Sequence, residues 1–219
     1  MVCSVIAIDG PAGVGKTTIA KKLSKKMNAP VLFSGQLYRA VAYEMIKNKI
    51  NVSQENKIIQ IAKKLDMSIY SERALYTAKI DLISSKISSN KLLRKALINY
   101  QRRFPKIQKK RIKYVIIEGR DIGTVIFPRA KVKFFMWASS KIRAKRRYDQ
   151  VKKISKKAKL LSIHKEIDRR DLRDMTRKIA PMIPAADSYL IDNTNYDICL
   201  LYTSPSPRDL STSRMPSSA

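Results

Sequence analysis

The chain has 219 residues, 44% of them apolar, and carries 46 Lys and Arg against 17 Asp and Glu, for a formal net charge of +29. That length and apolar share support a full core in one domain with room for an insertion, and they exclude a disordered chain. No apolar run approaches the roughly 18 residues of a membrane span and no signal-peptide pattern opens the chain, so a cytosolic protein without membrane contact is expected.

The charge admits two readings. Clustered Lys and Arg neutralise phosphates in nucleic-acid binders. Here, however, lysines are spread along nearly every helical segment on the side that should meet water, which favours a biased composition. An anionic small substrate would be drawn in by the same field. Cys3 and Cys199 have no metal-like or redox spacing and read as buried or incidental thiols. His164, the single histidine, lies in a lysine-rich segment and is expected to be solvated.

In chain order, "VCSVIAID" (2–9) is a buried-strand candidate, followed by "GPAGVGKTT" (10–18) and a helix in which Ile19, Ala20, Leu23 and Met27 recur at helical spacing. "PVLF" (30–33) reads as a second strand, followed by a helix over about 35–49. Further helices are expected over 53–65 and about 79–103, joined by an irregular link at "SERALYT". "KYVIIE" (113–118) and "KVKFFMWA" (131–138) read as two more strands, the second leading into a basic helix over 139–150. A helix over 162–179 and a strand "SYLID" (188–192) complete the pattern. Apolar strands alternating with helices predict a parallel sheet covered on both faces. Residues 200–219 abruptly become rich in Ser, Pro and Arg, read as translated vector or adapter DNA, and take no part in the fold prediction.

Three constellations carry chemistry. Gly10-Pro11-Ala12-Gly13-Val14-Gly15-Lys16-Thr17 fits G-x-x-x-x-G-K-[ST] between a strand and a helix, the context in which backbone N–H groups and a helix N-terminus cradle phosphates. Lys16 would reach the β- and γ-phosphates of a nucleotide and the Thr17 hydroxyl would ligate Mg2+, with Thr18 beside it. The second is the strand ending in Glu118-Gly119-Arg120-Asp121, whose charges fall at the same sheet edge, where ligands of open parallel sheets collect. Glu118 is a candidate to act on Mg2+ from behind its direct ligands, Arg120 to hold a phosphate, and Asp121 to accept from a base amino group. The third is "DRRDLRDMTRKIAP" (168–181). On a helix, Arg170, Arg173, Asp174 and Arg177 form one stripe, with Leu172, Met175 and Ile179 opposite. Such a stripe is often only solvated, but beside a P-loop it suits phosphate clamping. Truncating Arg177 is therefore expected to cost turnover rather than fold. Arg143, Arg146 and Arg147 of the basic helix are a second source of phosphate-directed arginines, ahead of a mobile lid.

The segments "IAIDGPAGVGKTT", "SGQLYRAVA", "LLRKALINYQRRF", "IEGRDIGTVIFPRAKVKFF", "RAKRRY" and "EIDRRDLRDMTRKIAPMIPAADSYLIDNT" together resemble bacterial cytidylate kinases, over about residues 5–194. The resemblance implies an α/β fold of the P-loop NTPase type, a three-layer sandwich with a central parallel sheet, a helical CMP-binding insertion and a short lid. Residues 1–50 and 104–199 would form the core with the lid at about 149–164, and 51–103 a shortened insertion. It implies transfer of phosphate from ATP to CMP or dCMP with Mg2+, by a monomer in the cytoplasm with no specific nucleic-acid partner. Ser34 and Arg39 match contacts on the phosphate side of CMP, and Ser85, Arg94 and Asp121 match positions that read cytosine. Arg120 and Arg177 match phosphate-binding arginines, Arg170 and Asp174 those holding ribose and phosphate, and Arg147, from the basic helix ahead of the lid, is a further catalytic candidate. The chain departs from the family pattern at Phe33, where Asp is usual, and at Tyr76 and Lys79, where Arg and Glu are usual. Another P-loop kinase (for UMP, shikimate or dephospho-coenzyme A) fits the run "GRDIGTVIFP" poorly. A nucleic-acid-binding protein would be expected to show an aromatic-interleaved basic platform, a helix-turn-helix or a zinc pattern.

Overall fold

The computed structural model describes residues 3–109, 111–152 and 158–195. The five expected strands form: β1 (Ser4–Asp9), β2 (Val31–Phe33), β3 (Tyr114–Glu118), β4 (Val132–Trp137) and β5 (Tyr189–Asp192). They make one sheet in the order β2-β3-β1-β4-β5 with every neighbouring pair parallel. β1 is therefore central, and its carboxyl end lies between those of β3 and β4.

Alternate residues of the strands feed two cores, as the two-residue period of a strand requires. Val5, Ala7, Val115, Ile117 and Leu32 face one way and pack with helices α2 (Ser34–Lys47), α3 (Glu55–Lys63), α5 (Ala78–Ile87) and α6 (Lys91–Arg103). Ile6, Ile8, Ile116 and Met136 face the other way and pack with α1 (Lys16–Met27) through Ala20, Ile19 and Leu23. The helices of residues 51–103 thus share one continuous core with the sheet.

The link at "SERALYT" contains a single helical turn, α4 (Glu72–Leu75), capped by the Ser71 hydroxyl. The segment expected as one helix over 79–103 is two. Ser88–Asn90 interrupt it because Asn90 turns its side-chain oxygen to accept from Leu93 N at 2.8 Å, starting α6 afresh; Asn is among the strongest N-cap residues and a weak helix former. Of the region expected as a lid, residues 149–152 complete α7 (Ser140–Lys152) and 160–164 open α8 (Leu160–Thr176), while 153–157 lie outside the described residues. So do Cys199 and the 200–219 tail. Cys3 is buried, its thiol donating to Ile112 O.

The apolar stripe of α8 does not pack as expected. Leu172 is 63% and Met175 55% exposed, whereas Asp171 and Asp174 are buried. The charged side of this helix faces the sheet edge because basic partners wait there, so ion pairing overrides the hydrophobic pattern. His164, expected in solvent, is partly buried, with its Nε2 2.9 Å from Ser140 Oγ and 3.4 Å from Asp168. No described helix is long and apolar enough to cross a membrane.

Candidate active site

The site grows from the carboxyl end of β1. Gly10 leaves the strand at φ 141°, and a Cβ there would lie 2.1 Å from Met136 O of β4, so only glycine lets the loop pass. Gly13 and Gly15 also have positive φ, which curls the chain from Pro11 to Lys16 around its own N–H groups. Val14 is fully buried as the loop's anchor, and Asn193 holds it from beyond β5 by donating to Val14 O at 2.7 Å. Thr17 sits in the first turn of α1, and Thr18 beside it is exposed.

Lys16 is buried, its Nζ donating to Pro11 O at 2.8 Å and lying 3.7 Å from Glu118. The Thr17 hydroxyl donates to the other Glu118 oxygen at 3.3 Å. The end of β3 is therefore bound to the P-loop by the same carboxylate that its strand delivers. Burial, aided by the Arg120 charge, pulls the Lys16 ammonium down to about 7, against the attraction of Glu118 and Asp9. An arriving polyphosphate would reverse that by supplying negative charge. Among the described residues, no group of three or more His, Cys, Asp or Glu gathers as an all-protein metal cage. Thr17 and Glu118 are hard oxygen donors of the kind Mg2+ takes when phosphates and water complete its shell, so the donor set fits that ion.

Past β3 the chain turns at Gly119, where a Cβ would meet the Ser34 hydroxyl at 2.6 Å and Ile122 at the same distance. Ser34 opens α2 and is buried there. Arg120 reaches back to donate to Gly10 O at 2.6 Å and pairs with Asp174 at 3.4 Å. Asp121 is buried and accepts from Arg94 Nη2 at 2.5 Å, with Arg177 3.5 Å away. Asp9 fixes the π-helical turn Ile122–Ile126 that follows: its two carboxylate oxygens accept from Ile122 N at 2.9 Å and Gly123 N at 2.7 Å. Burial pushes the Asp9 carboxyl up to about 7 in spite of those bonds.

The structure thus brings Lys16, Thr17, Glu118, Arg120, Asp121, Arg94, Asp174 and Arg177 into one network, and places Arg39, Arg147 and Arg170 around Asp81. Ser85, on α5 one turn beyond Asp81, is half-buried. Arg177 departs from the expected stripe. α8 ends at Thr176, Arg177 takes extended backbone (φ −63°, ψ 136°), and its side chain folds back to donate to Ala180 O at 2.5 Å. It is held inside the network between Asp121 and Asp174, 3.6 Å from the latter, so its removal disturbs structure as well as charge. Arg173, expected beside it, is exposed. Of the three basic-helix arginines, Arg143 is a buried strut that donates to Ala138 O and Ala12 O and pairs with Asp171. Arg146 binds Asn193. Arg147 lies 3.7 Å from Asp81 of α5.

The profile of the family described as cytidylate kinase matches residues 6–199. The chain belongs to the cytidylate kinase family. It is 37% identical over 194 residues to a cytidylate kinase of Bartonella tribocorum, covering 89% of this chain and 88% of the relative. It is 39% identical over 194 residues to one of Bradyrhizobium diazoefficiens, covering 89% and 90%. Among solved structures, similarity extends to a shikimate kinase from Bacteroides thetaiotaomicron, 12% identical, covering 91% and 92% of the two chains with a TM-score of 0.44, too low to inform the site.

Within this cytidylate kinase fold, Asp9, Asp81, Asp171 and Asn193 were missed by the reading of the sequence. Asp9 carried a usable signal, since it is an acidic residue closing an apolar strand just as Glu118 does. Asp171 lay in the "DRRDLRD" run, three residues before Asp174. Asp81 and Asn193 carried none, because their partners are 42 to 179 residues away.

Proposed function

We propose that this chain transfers the γ-phosphate of ATP to CMP or dCMP, releasing ADP and CDP or dCDP. The observation that carries the reading is the Arg120 bridge. One residue of the β3 end donates to the first P-loop carbonyl and pairs with an acid of α8, so donor and acceptor sides meet at a single strand end. Residues Gly10 to Thr18 take the ATP phosphates, and Lys16 neutralises the charge that develops between them. Thr17, backed by Glu118, holds Mg2+. That ion would supply charge neutralisation and orientation of the phosphates.

On the acceptor side, Arg94 and Asp121 with Ser85 read the base, Ser34 and Arg39 meet the phosphate, and Arg170 with Asp174 holds ribose and phosphate. Arg120, Arg147 and Arg177 surround the transferring group. The acceptor's phosphate oxygen is already a nucleophile, so no side chain need remove a proton. Alignment and a dry, cationic surround provide the rate. The enzyme acts as a cytoplasmic monomer on free nucleotides, a reading supported by its membership of the family.

The test is product stoichiometry. With ATP, Mg2+ and CMP, the purified chain should form ADP and CDP one to one, and chelation of Mg2+ should stop both. ADP formed equally well without CMP would mean an ATPase and end the reading.

A further inference from the structure

Asp81 stands in the first turn of α5, outside every motif that pointed to the site. Its carboxylate pairs directly with Arg39, lies 3.7 Å from Arg147 and reaches Arg170 at 4.0 Å. These arginines come from α2, α7 and α8, and all were assigned to phosphate. The Arg39 guanidinium is also engaged elsewhere. Its other terminal nitrogen donates to Leu75 O at 3.1 Å and its face lies 4.3 Å from the centre of the Tyr76 ring. Asp81 thus holds one edge of a guanidinium whose other terminal nitrogen and one face are also engaged, and a phosphate that takes that edge must replace the carboxylate.

We infer that Asp81 is an internal occupant of the acceptor-phosphate site: its carboxylate holds Arg39, Arg147 and Arg170 together in the empty enzyme and is displaced by the phosphate of the incoming nucleotide. The inference rests on the acceptor-site reading above. Its physical basis is charge. Three guanidinium groups gathered without an anion would repel one another and splay. A carboxylate built into the chain keeps them converged, but it lowers the apparent affinity for any ligand that must replace it by the fraction of molecules in which it has let go. Displacement is feasible because the α5 backbone is anchored independently, Asp81 N donating to Thr77 O at 2.9 Å. The Asp81 side chain retains 17% exposure, so a change of rotamer can turn the carboxylate toward water without moving the helix. Arg147, at 45% side-chain exposure the most open of the three, ties the helix before the expected lid to the insertion through this same carboxylate.

The experiment is calorimetric titration of the full chain and its Asp81→Asn variant with CMP and, separately, with cytidine, which has the base and ribose but no phosphate. CMP should bind the variant about tenfold more tightly, as expected if roughly nine molecules in ten hold the carboxylate in place. Cytidine affinity should not change, and the KM for CMP should fall in parallel. Unchanged or weaker CMP binding would overturn the inference and leave Asp81 as an orienting group that stays on Arg39 in the complex. An equal gain for cytidine would also overturn it, by showing that the insertion had merely loosened. If Asp81→Asn does not fold, Asp81→Ser, which suits the start of a helix, carries the same expectations. Wild-type protein that neither binds nor phosphorylates CMP would instead sink the acceptor-site reading itself.

Discussion

Asp121→Asn separates buried pairing from surface pairing in one substitution. Asp121 is 5% and Arg94 3% exposed, and the two meet at 2.5 Å. The shape of asparagine is the same, but its charge is gone and its NH2 group turns one accepting position into a donor facing guanidinium donors. With the remaining oxygen turned to one guanidinium the NH2 group faces the other, and Arg94 is left with neutral acceptors such as Ser88 O at 3.0 Å, while its Nε already has no hydrogen-bond partner. Arg177 would lose one of its two acids and keep Asp174. Removing one member of a buried pair costs about 3–5 kcal/mol, against 0–1 kcal/mol for a solvated one. For a chain of this size that is a fall in Tm of about 6–20 °C. Urea unfolding of both proteins gives the difference directly, provided the slopes agree. A loss under about 1 kcal/mol would show that water reaches the pair, and the buried network would have to be given up.

Lys16→Ala should reduce kcat by at least about a hundredfold, the scale of one lost transition-state contact, with an unchanged circular dichroism spectrum; retained turnover would remove the P-loop mechanism. Asp9 predicts a pH signature. Its carboxyl titrates near 3.8 when unfolded and about 7 when folded, so the folded protein binds the extra proton between those values. Its contribution is complete below about pH 4 and disappears as pH rises through about 7, a difference of about 4 kcal/mol. Asp9→Asn should remove that slope from the stability profile, and parallel profiles for the two proteins would contradict it. Leu172→Ala should change stability by less than about 0.5 kcal/mol, because the side chain is 63% exposed. Arg143→Ala, which strands Asp171 in a buried position, should cost about 3 kcal/mol or more; the reverse order would mean the faces of α8 are misassigned.

Much of this was legible because local rules and tertiary structure agree. Each of the five strands is an apolar run bounded by turn residues, and the P-loop glycines state their own geometry. The charged end of β3 announced a ligand edge because no sheet would otherwise end so. What stayed hidden depended on partners distant in sequence. The helical stripe of Leu172 and Met175 read as a packing face, yet Asp171 and Asp174 turned inward because Arg143 and Arg120 wait at the sheet edge. Arg177 looked helical from its spacing, but a left-handed Ala180 (φ 51°) and the Arg177 bond to its carbonyl end the helix one residue earlier. Asp81 is one acid among many polar helix residues until Arg39, Arg147 and Arg170 are folded around it.

The most direct test of the account is the initial rate of ADP formation from ATP and Mg2+ with CMP, dCMP, UMP and AMP compared side by side. If the β3 end, with Arg94 and Asp121, holds a cytosine nucleotide against the P-loop, CMP and dCMP should each exceed UMP and AMP by at least about tenfold in kcat/KM. Equal rates with all four acceptors, or silence with every one from folded protein, would contradict it.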